Sequence, residues 1–359
     1  MLANINIHKI LSTSSKTISL KQSLIPLIVL IILLAYNVTL YGDSAMGGSN
    51  QFILLIGASV ATIVGVKNGV LFKSMLESIS SNIKSITGAI LILLFVGALS
   101  GTWLISGIIP SMIFYGLKIL HPSIFLPSCV IICAIISIST GSSWTTSATV
   151  GIALIGIGKA IGIPVGMVAG AVISGAYFGD KLSPLSDTTN LAPAVSGTDL
   201  FTHIKYLTIT TVPTIIITLI VLSILNLFIV STGPTENEQM LKTISKTFNI
   251  TPLLFIVPII VLIMIFKKTP PLIALFVGTV LGGIFTVIFQ SSIINSISQT
   301  SDLTYQSAYR VIIDAITVET SIDSGDENLN ELFQSGGMKG MLDTIWLVIC
   351  AMVFGGVME

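Results

Sequence analysis

Residues 174–193 read SGAYFGDKLSPLSDTTNLAP. They bring two carboxylates, Asp180 and Asp187, the amine of Lys181, the hydroxyls of Ser183, Ser186, Thr188 and Thr189, and the amide of Asn190 into one short run. Carboxylate, hydroxyl and carbonyl oxygens are hard donors, the set that a hard cation such as sodium prefers. A carboxylate also takes up a proton, so the same atoms can hold either a cation or a proton. Pro184 lacks the N–H that would cap a carbonyl one turn earlier, and Pro164 does the same upstream, which adds freed main-chain oxygens to the candidate ligands. A plainer account makes Asp180 and Lys181 an ion pair at a helix end and Asp187 the cap of the following helix.

A second hydroxyl cluster precedes the first. Residues 141–158 read GSSWTTSATVGIALIGIG, with Ser142, Ser143, Thr145, Thr146, Ser147 and Thr149 at the front. The stretch is too polar at its start and too short at its end for an ordinary membrane span, and it is expected to be a re-entrant or broken hairpin segment. Such backbone is tolerated at membrane depth only against protein or a water-filled cavity, where transporters place their ion sites. These hydroxyls can equally bond their own backbone or hold neighbouring helices together, and Trp144 reads as an interfacial anchor. Between the clusters, Gly158, Gly162, Gly166 and Gly170, then Gly175 and Gly179, draw a smooth stripe expected to pack closely and bring the hydroxyls toward the aspartates.

The elements that position these residues follow from composition. With 53% hydrophobic and 9% charged residues, against roughly 25% charged in soluble domains, the chain belongs in a bilayer. An acid held at membrane depth usually marks an ion or proton path. Net charge is zero and no basic stripe is present, which excludes a nucleic-acid partner. Cys129, Cys133 and Cys350 sit in apolar runs and read as small hydrophobes. His8, His121 and His203 form no metal-ligand pair, so neither an enzyme nor a resident cofactor is expected. Apolar runs near 24–41, 52–66, 86–109, 124–140, 161–179, 206–231, 251–267, 271–290 and 343–358 predict an all-α polytopic membrane protein with about nine transmembrane or re-entrant segments. Lys9, Lys16 and Lys21 before the first run, and Lys67, Lys73 and Lys84 after the second, place the N-terminus in the cytoplasm, while Lys118 and His121 fall on the other side.

The run SGAYFGDKLSPLSDTTNLAP, with TGSSWTTSATVGIALIGIG before it, DLFTHIKYL after it and LFVGALSGTWLISGIIPSMIFYGL further upstream, resembles the NhaC family of bacterial Na+/H+ antiporters, part of a larger ion-transporter superfamily. The likeness covers roughly residues 20–290 and the final segment. It implies secondary active transport by alternating access on an inverted-repeat fold, with Na+ leaving the cytoplasm in exchange for external H+. Carried over by position, it implies that Asp180 and Asp187 hold Na+ and carry protons, and that Ser183, Thr188, Thr189 and Asn190 line the site. It sets His203, in the HIK stretch, either as a proton relay or as a helix-end histidine. Some members exchange malate and lactate, so an organic acid coupled to Na+ and H+ is the alternative cargo, with Lys181 as its anion partner. The resemblance further implies a multi-pass protein of the bacterial cell membrane whose partners are the lipid bilayer, Na+ and H+, with no cofactor beyond the transported ions.

Two stretches share an aromatic start, a polar amphipathic lead-in and an apolar span ending in glycines: FKSMLESISSNIKSITGAILILLFVGALSG at 72–101 and FQSGGMKGMLDTIWLVICAMVFGGVME at 333–359. Read as equivalent elements of an inverted repeat, they divide the chain in two. Residues 1–235 form a first repeat with the hairpin and the ion-site motif, and residues 236–359 hold a linker, further helices and the start of a second repeat. That second repeat is expected to be incomplete. A homodimer or a separate chain would then supply the missing half, or the chain would be a truncated membrane protein that transports nothing. Residues 291–342, acidic and polar, are expected to form a solvated, extracytoplasmic amphipathic connector without chemistry of its own.

Overall fold

The computed structural model describes residues 18–119, 121–184, 186, 189, 192–193, 198–228, 234–267, 269–299, 304–325, 330 and 333–359. Apart from a short antiparallel ribbon, the regular structure among them is helical. That follows from the apolar runs, because a helix satisfies its own backbone N–H and C=O groups where lipid cannot. The helices are α1 (Leu20–Tyr41), α2 (Ser49–Lys67), α3 (Phe72–Ser85), α4 (Thr87–Ile105), α5 (Ile108–Ile119), α6 (Phe125–Thr140), α7 (Ser143–Thr146), α8 (Ile152–Ala160) and α9 (Val165–Leu182). They continue as α10 (Leu200–Phe228), α11 (Pro234–Thr247), α12 (Ile256–Phe266), α13 (Pro271–Phe289), α14 (Ser291–Ser298), α15 (Tyr305–Thr317) and α16 (Leu342–Met358).

Among the described residues six helices are long and apolar enough to cross a membrane: α1, α2, α4, α10, α13, and α16 with its lead-in turn. Two bent pairs raise the number to eight, α5 with α6 at 96° and α11 with α12 at 83°. The chain is a multi-pass membrane protein. The ninth expected segment, 161–179, is α9, displaced to Val165–Leu182 so that its last turn carries Asp180 and Lys181.

The chain forms two compact units. The first runs to Leu93 and takes in Met341–Glu359. Within it α16 packs on α2 and α3, close enough that a methyl group on Gly356 would lie 2.7 Å from the Ile79 Cα. The α1–α2 corner is tied by the buried Asn37, whose Nδ2 donates to Ser49 Oγ and Asn50 Oδ1, each at 2.8 Å. The two stretches compared above begin differently. Residues 72–85 make the fourteen-residue α3, whereas Gln334–Ser335 is a strand and Lys339–Met341 a 3₁₀ turn.

The second unit runs from Leu94 to Gly340. Within residues 291–340 the expected amphipathic connector has packed helices. α14 and α15 pack on each other, a Cβ on Gly101 of α4 would strike the Ala315 carbonyl of α15, and the buried ring of Phe333 meets Phe248 edge-on at 5.0 Å. Small apolar residues among the acids (Ala308, Val311, Ala315) give α15 one buried face, which a count of charges does not reveal. Elsewhere in this unit Gln290, fully buried, accepts from the Asn249 N–H and donates to the carbonyls of Asn249 and Ser106. Asn226 near the end of α10 accepts from the Leu126 N–H at 3.1 Å and donates to Pro122 O at 2.8 Å, fixing the start of α6.

The candidate site rests on α6, α8 and α9. The expected glycine stripe is not one helix face, because Gly162 turns left-handed at φ 78° and Pro164 caps a new helix there. Gly158 lies in α8 against Val168, and a methyl on Gly166 or Gly170 would meet nothing within 4 Å. The close approach belongs to Gly175 and Gly179. A methyl on Gly179 would sit 2.5 Å from Ala134 O and 2.6 Å from Ile138 N, and one on Gly175 would strike Val130 O. These pairs advance together along both chains, so α6 and α9 run parallel, with α8 returning antiparallel between them in sequence. Gly179→Val is therefore expected to destabilise the fold by roughly 1–3 kcal/mol through overpacking, seen as a lower unfolding temperature in detergent, while Gly166→Ala leaves it unchanged. Equal behaviour of the two variants would refute this packing.

Candidate functional site

Parallel packing puts the C-terminal ends of α6 and α9 side by side. α6 stops at Gly141, which takes the left-handed conformation at φ 69° and donates its N–H to Ser137 O at 2.8 Å. α9 stops at Leu182, because Pro184 cannot continue a helix and biases the residue before it toward extended backbone, as seen in Ser183 at φ −81° and ψ 126°. Two hydroxyls then sew the ends together. Ser137 Oγ donates to Ala176 O at 2.6 Å, and Ser183 Oγ donates to Ile138 O at 2.7 Å, an α6 carbonyl in the last turn. Both serines are fully buried.

Asp180 occupies the last turn of α9 beside this seam. Ser143 Oγ, from the segment that follows the Gly141 turn, donates to Asp180 Oδ2 at 3.0 Å. The two hydroxyl-rich clusters that the sequence separates by more than thirty residues thus meet at one carboxylate, with |i−j| of 37. Thr189 Oγ1 donates to the main-chain oxygens of Asp180 at 3.0 Å and Lys181 at 3.3 Å. Its own N–H reaches Ser186 Oγ at 3.4 Å, and the Ser186 N–H reaches Ser183 O at 3.3 Å. Ser183, Ser186 and Thr189 are all buried.

The backbone around the first hydroxyl cluster is wound rather than open. α7 passes through a π-helical turn, Ser147–Gly151, into α8, so the expected broken segment is a helix with one widened turn. Such turns often mark functional positions. Thr146 Oγ1 donates to Ser142 O at 2.9 Å, and Thr146 and Thr149 are buried. Of this cluster only Ser143 has a described bond to Asp180, and Trp144 is exposed. The carbonyl that Pro184 frees is that of Asp180 itself, and it is already taken by Thr189 and by the Ser183 N–H at 3.2 Å. It is therefore not an open cation ligand. Pro164 lies at the α8–α9 break instead of inside a helix.

Lys181 is exposed, and among the described residues no ion pair joins it to Asp180. Asp187, Thr188 and Asn190 lie outside the described residues, as does the side chain of Thr145. His203 lies in the first turn of α10, where Asp199 Oδ2 accepts from the Thr202 N–H at 3.0 Å. Among the described residues no three His, Cys, Asp or Glu side chains converge. Sequence reasoning missed Ser137 and the Ile138 carbonyl. Their signal was the serine and threonine run SIST that ends α6 just before Gly141.

Each helix C-terminus carries about half a negative charge, and a bare carboxylate there is disfavoured by about 0.3–1 kcal/mol per helix end. Removing the Ser143 hydroxyl frees Asp180 Oδ2 from its orienting donor. If Asp180 holds sodium, as the resemblance implies, Ser143→Ala is expected to weaken sodium binding to the purified protein roughly tenfold, with Ser143→Thr close to wild type in the same titration calorimetry. Unaltered binding in the alanine variant would remove Ser143 from the site.

A profile of the Na+/H+ antiporter family matches residues 175–359. The chain is 36% identical over 311 residues to a malate-2H+/Na+-lactate antiporter of Bacillus subtilis, covering 86% of this chain and 63% of that protein. It is 36% identical over 306 residues to the Na+/H+ antiporter NhaC of Alkalihalophilus pseudofirmus, covering 85% and 62% respectively. An uncharacterized Na+/H+ antiporter of Haemophilus influenzae is 34% identical over 341 residues, 93% of this chain and 69% of its own length. The chain therefore spans a little under two thirds of the first two relatives. No solved structure gives a significant match.

Proposed function

Because this chain belongs to the NhaC family of Na+/H+ antiporters, we propose that it is a secondary active transporter, not an enzyme, that exchanges cytoplasmic Na+ for external H+ by alternating access, with Asp180 holding each ion in turn. The observation that carries this reading is the setting of Asp180: a carboxylate in the last turn of α9, sewn beside the last turn of α6, with a serine hydroxyl on one oxygen. Two negative helix ends disfavour an empty carboxylate. A proton neutralises it, and a sodium ion offsets it while taking hydroxyl and carbonyl oxygens as further ligands. One carboxylate that accepts either ion but not both couples their movements, since each must leave before the other binds. Alternating access then requires this site to be presented to one side at a time.

Asp187, Thr188 and Asn190 complete the ligand set in this proposal, as the resemblance implies. The lysines before α1 and between α2 and α4 support a cytoplasmic N-terminus, and the family supports the bacterial cell membrane as the location. A second copy of the chain is proposed as a partner.

A malate and lactate cargo is the second reading, supported by the name of the Bacillus subtilis relative and by the exposed Lys181 next to the site, which offers an anion a fixed cation. Liposomes carrying the protein and a pH gradient separate the two. Collapse of the gradient on adding sodium, lost in Asp180→Asn at equal insertion, is the expected outcome. Collapse that needs malate or lactate as well as sodium would establish the second reading. Full sodium-driven flux in Asp180→Asn would remove this carboxylate from the mechanism, and correct insertion without any flux would leave a membrane protein that does not transport alone.

A further inference from the structure

We infer that Thr189 is a positioning residue that acts on Asp180 through the main chain, by capping the helix end that carries the carboxylate, and is not itself a ligand of the transported ion. The inference rests on the antiport reading for its transport consequence and on geometry for the cap itself. In an unbroken helix the Asp180 carbonyl would accept from the N–H of residue 184, and that residue is proline, which has none. The Ser183 N–H reaches back at 3.2 Å in the tighter 3₁₀ manner. The remaining lone pair is met by Thr189 Oγ1 at 3.0 Å, and the same hydroxyl lies 3.3 Å from Lys181 O, which is also in the last turn.

A threonine hydroxyl has one proton to give. Here it is spent on the helix-end carbonyls, so these oxygens are held in the protein and Thr189 is tied to the end of α9. The closure is reinforced by the Thr189 N–H to Ser186 Oγ and the Ser186 N–H to Ser183 O, and Ser183 is itself tied to α6 at Ile138 O. The chain of bonds therefore runs from α6 through Ser183 and Ser186 to Thr189 and ends on Asp180. Thr189 is 3% exposed, so water does not readily replace its hydroxyl. Loss of this donor leaves the Asp180 carbonyl with the Ser183 N–H alone and loosens the last turn, which lets the Asp180 side chain wander from Ser143 Oγ.

The test compares Thr189→Val, which keeps the shape and removes the donor, with Thr189→Ser, which restores it. Two measurements are made on the full chain: hydrogen exchange of peptides spanning residues 178–190, and flux in liposomes against sodium or lithium concentration. Thr189→Val is expected to speed exchange in that stretch and to raise the half-saturating concentration of both ions roughly tenfold by the same factor, with the maximal rate little changed. Thr189→Ser is expected to return both readouts to near wild type. A changed sodium-to-lithium preference in Thr189→Val would make Thr189 a direct ligand and overturn the inference. So would unchanged exchange, or a serine variant no better than valine. If the wild-type chain shows no flux while exchange responds as expected, the cap stands and the transport reading alone fails.

Discussion

The contact between α6 and α9 is the constraint on which the site depends. Two parallel helices can lie backbone to backbone only where one presents no side chain, and Gly175 and Gly179 provide that face one turn apart. In lipid the gain from such a contact is van der Waals packing, since apolar tails offer no hydrophobic drive between helices. The approach has a second effect that packing alone would not require. It brings carbonyls of one helix within reach of hydroxyls of the other, as Ser137 to Ala176 and Ser183 to Ile138 show. A larger residue at either glycine would separate these partners as well as the backbones. Register and chemistry are therefore set by the same two positions.

Parallel neighbours in one chain need a return element, and α7, the π turn and α8 supply it. The π turn packs along α9, where a methyl on Gly151 would come within 2.8 Å of Val172 Cγ1. Its position just after Ser143 matters, because a widened turn alters the phase of the residues on either side of it. The opposite end of the assembly is held by amides rather than glycines. Asn226 grips the start of α6 from α10, and α10 otherwise keeps its threonines bonded to its own carbonyls, as Thr211, Thr214 and Thr218 do. A helix that satisfies its own hydroxyls in this way can present its apolar side chains to lipid, and no residue in the spanning stretch of α10 is fully buried.

Much of this was legible in the sequence, and what was not has identifiable causes. Apolar runs of spanning length located eight helices or bent pairs, and the rarity of acids at membrane depth drew attention to Asp180. Juxtaposition of the hydroxyl cluster at Ser143 with Asp180 was anticipated from the glycines between them, yet the spacing of four misled, since Gly162 is a turn and only the last two glycines make the seam. Periodicity cannot distinguish a glycine that permits a close approach from one that bends the chain. Pro184 correctly announced a freed carbonyl, but the sequence gives no hint that Thr189 folds back to take it. The packing partners of the amphipathic connector were not legible for a similar reason, because its buried residues, among them Ile294, Ala308, Ala315 and Phe333, are scattered among polar ones.

The placement of an acid at a helix C-terminus is the opposite of the arrangement that stabilises helices, where acids gather at the N-terminus. A protein that needed Asp180 only for structure would gain by moving it to the other end, or by pairing it with a cation. Here its described partner is a neutral hydroxyl, and the two nearest helix ends share its sign. The cost of about 1 kcal/mol per helix end is small beside the cost of burying an unpaired ion. In the exchange proposed above, that modest penalty would favour an occupant over an empty site without holding it too strongly to leave. A guanidinium paired to the carboxylate would remove that penalty, whereas the Ser143 hydroxyl meets one carboxylate oxygen without neutralising its charge.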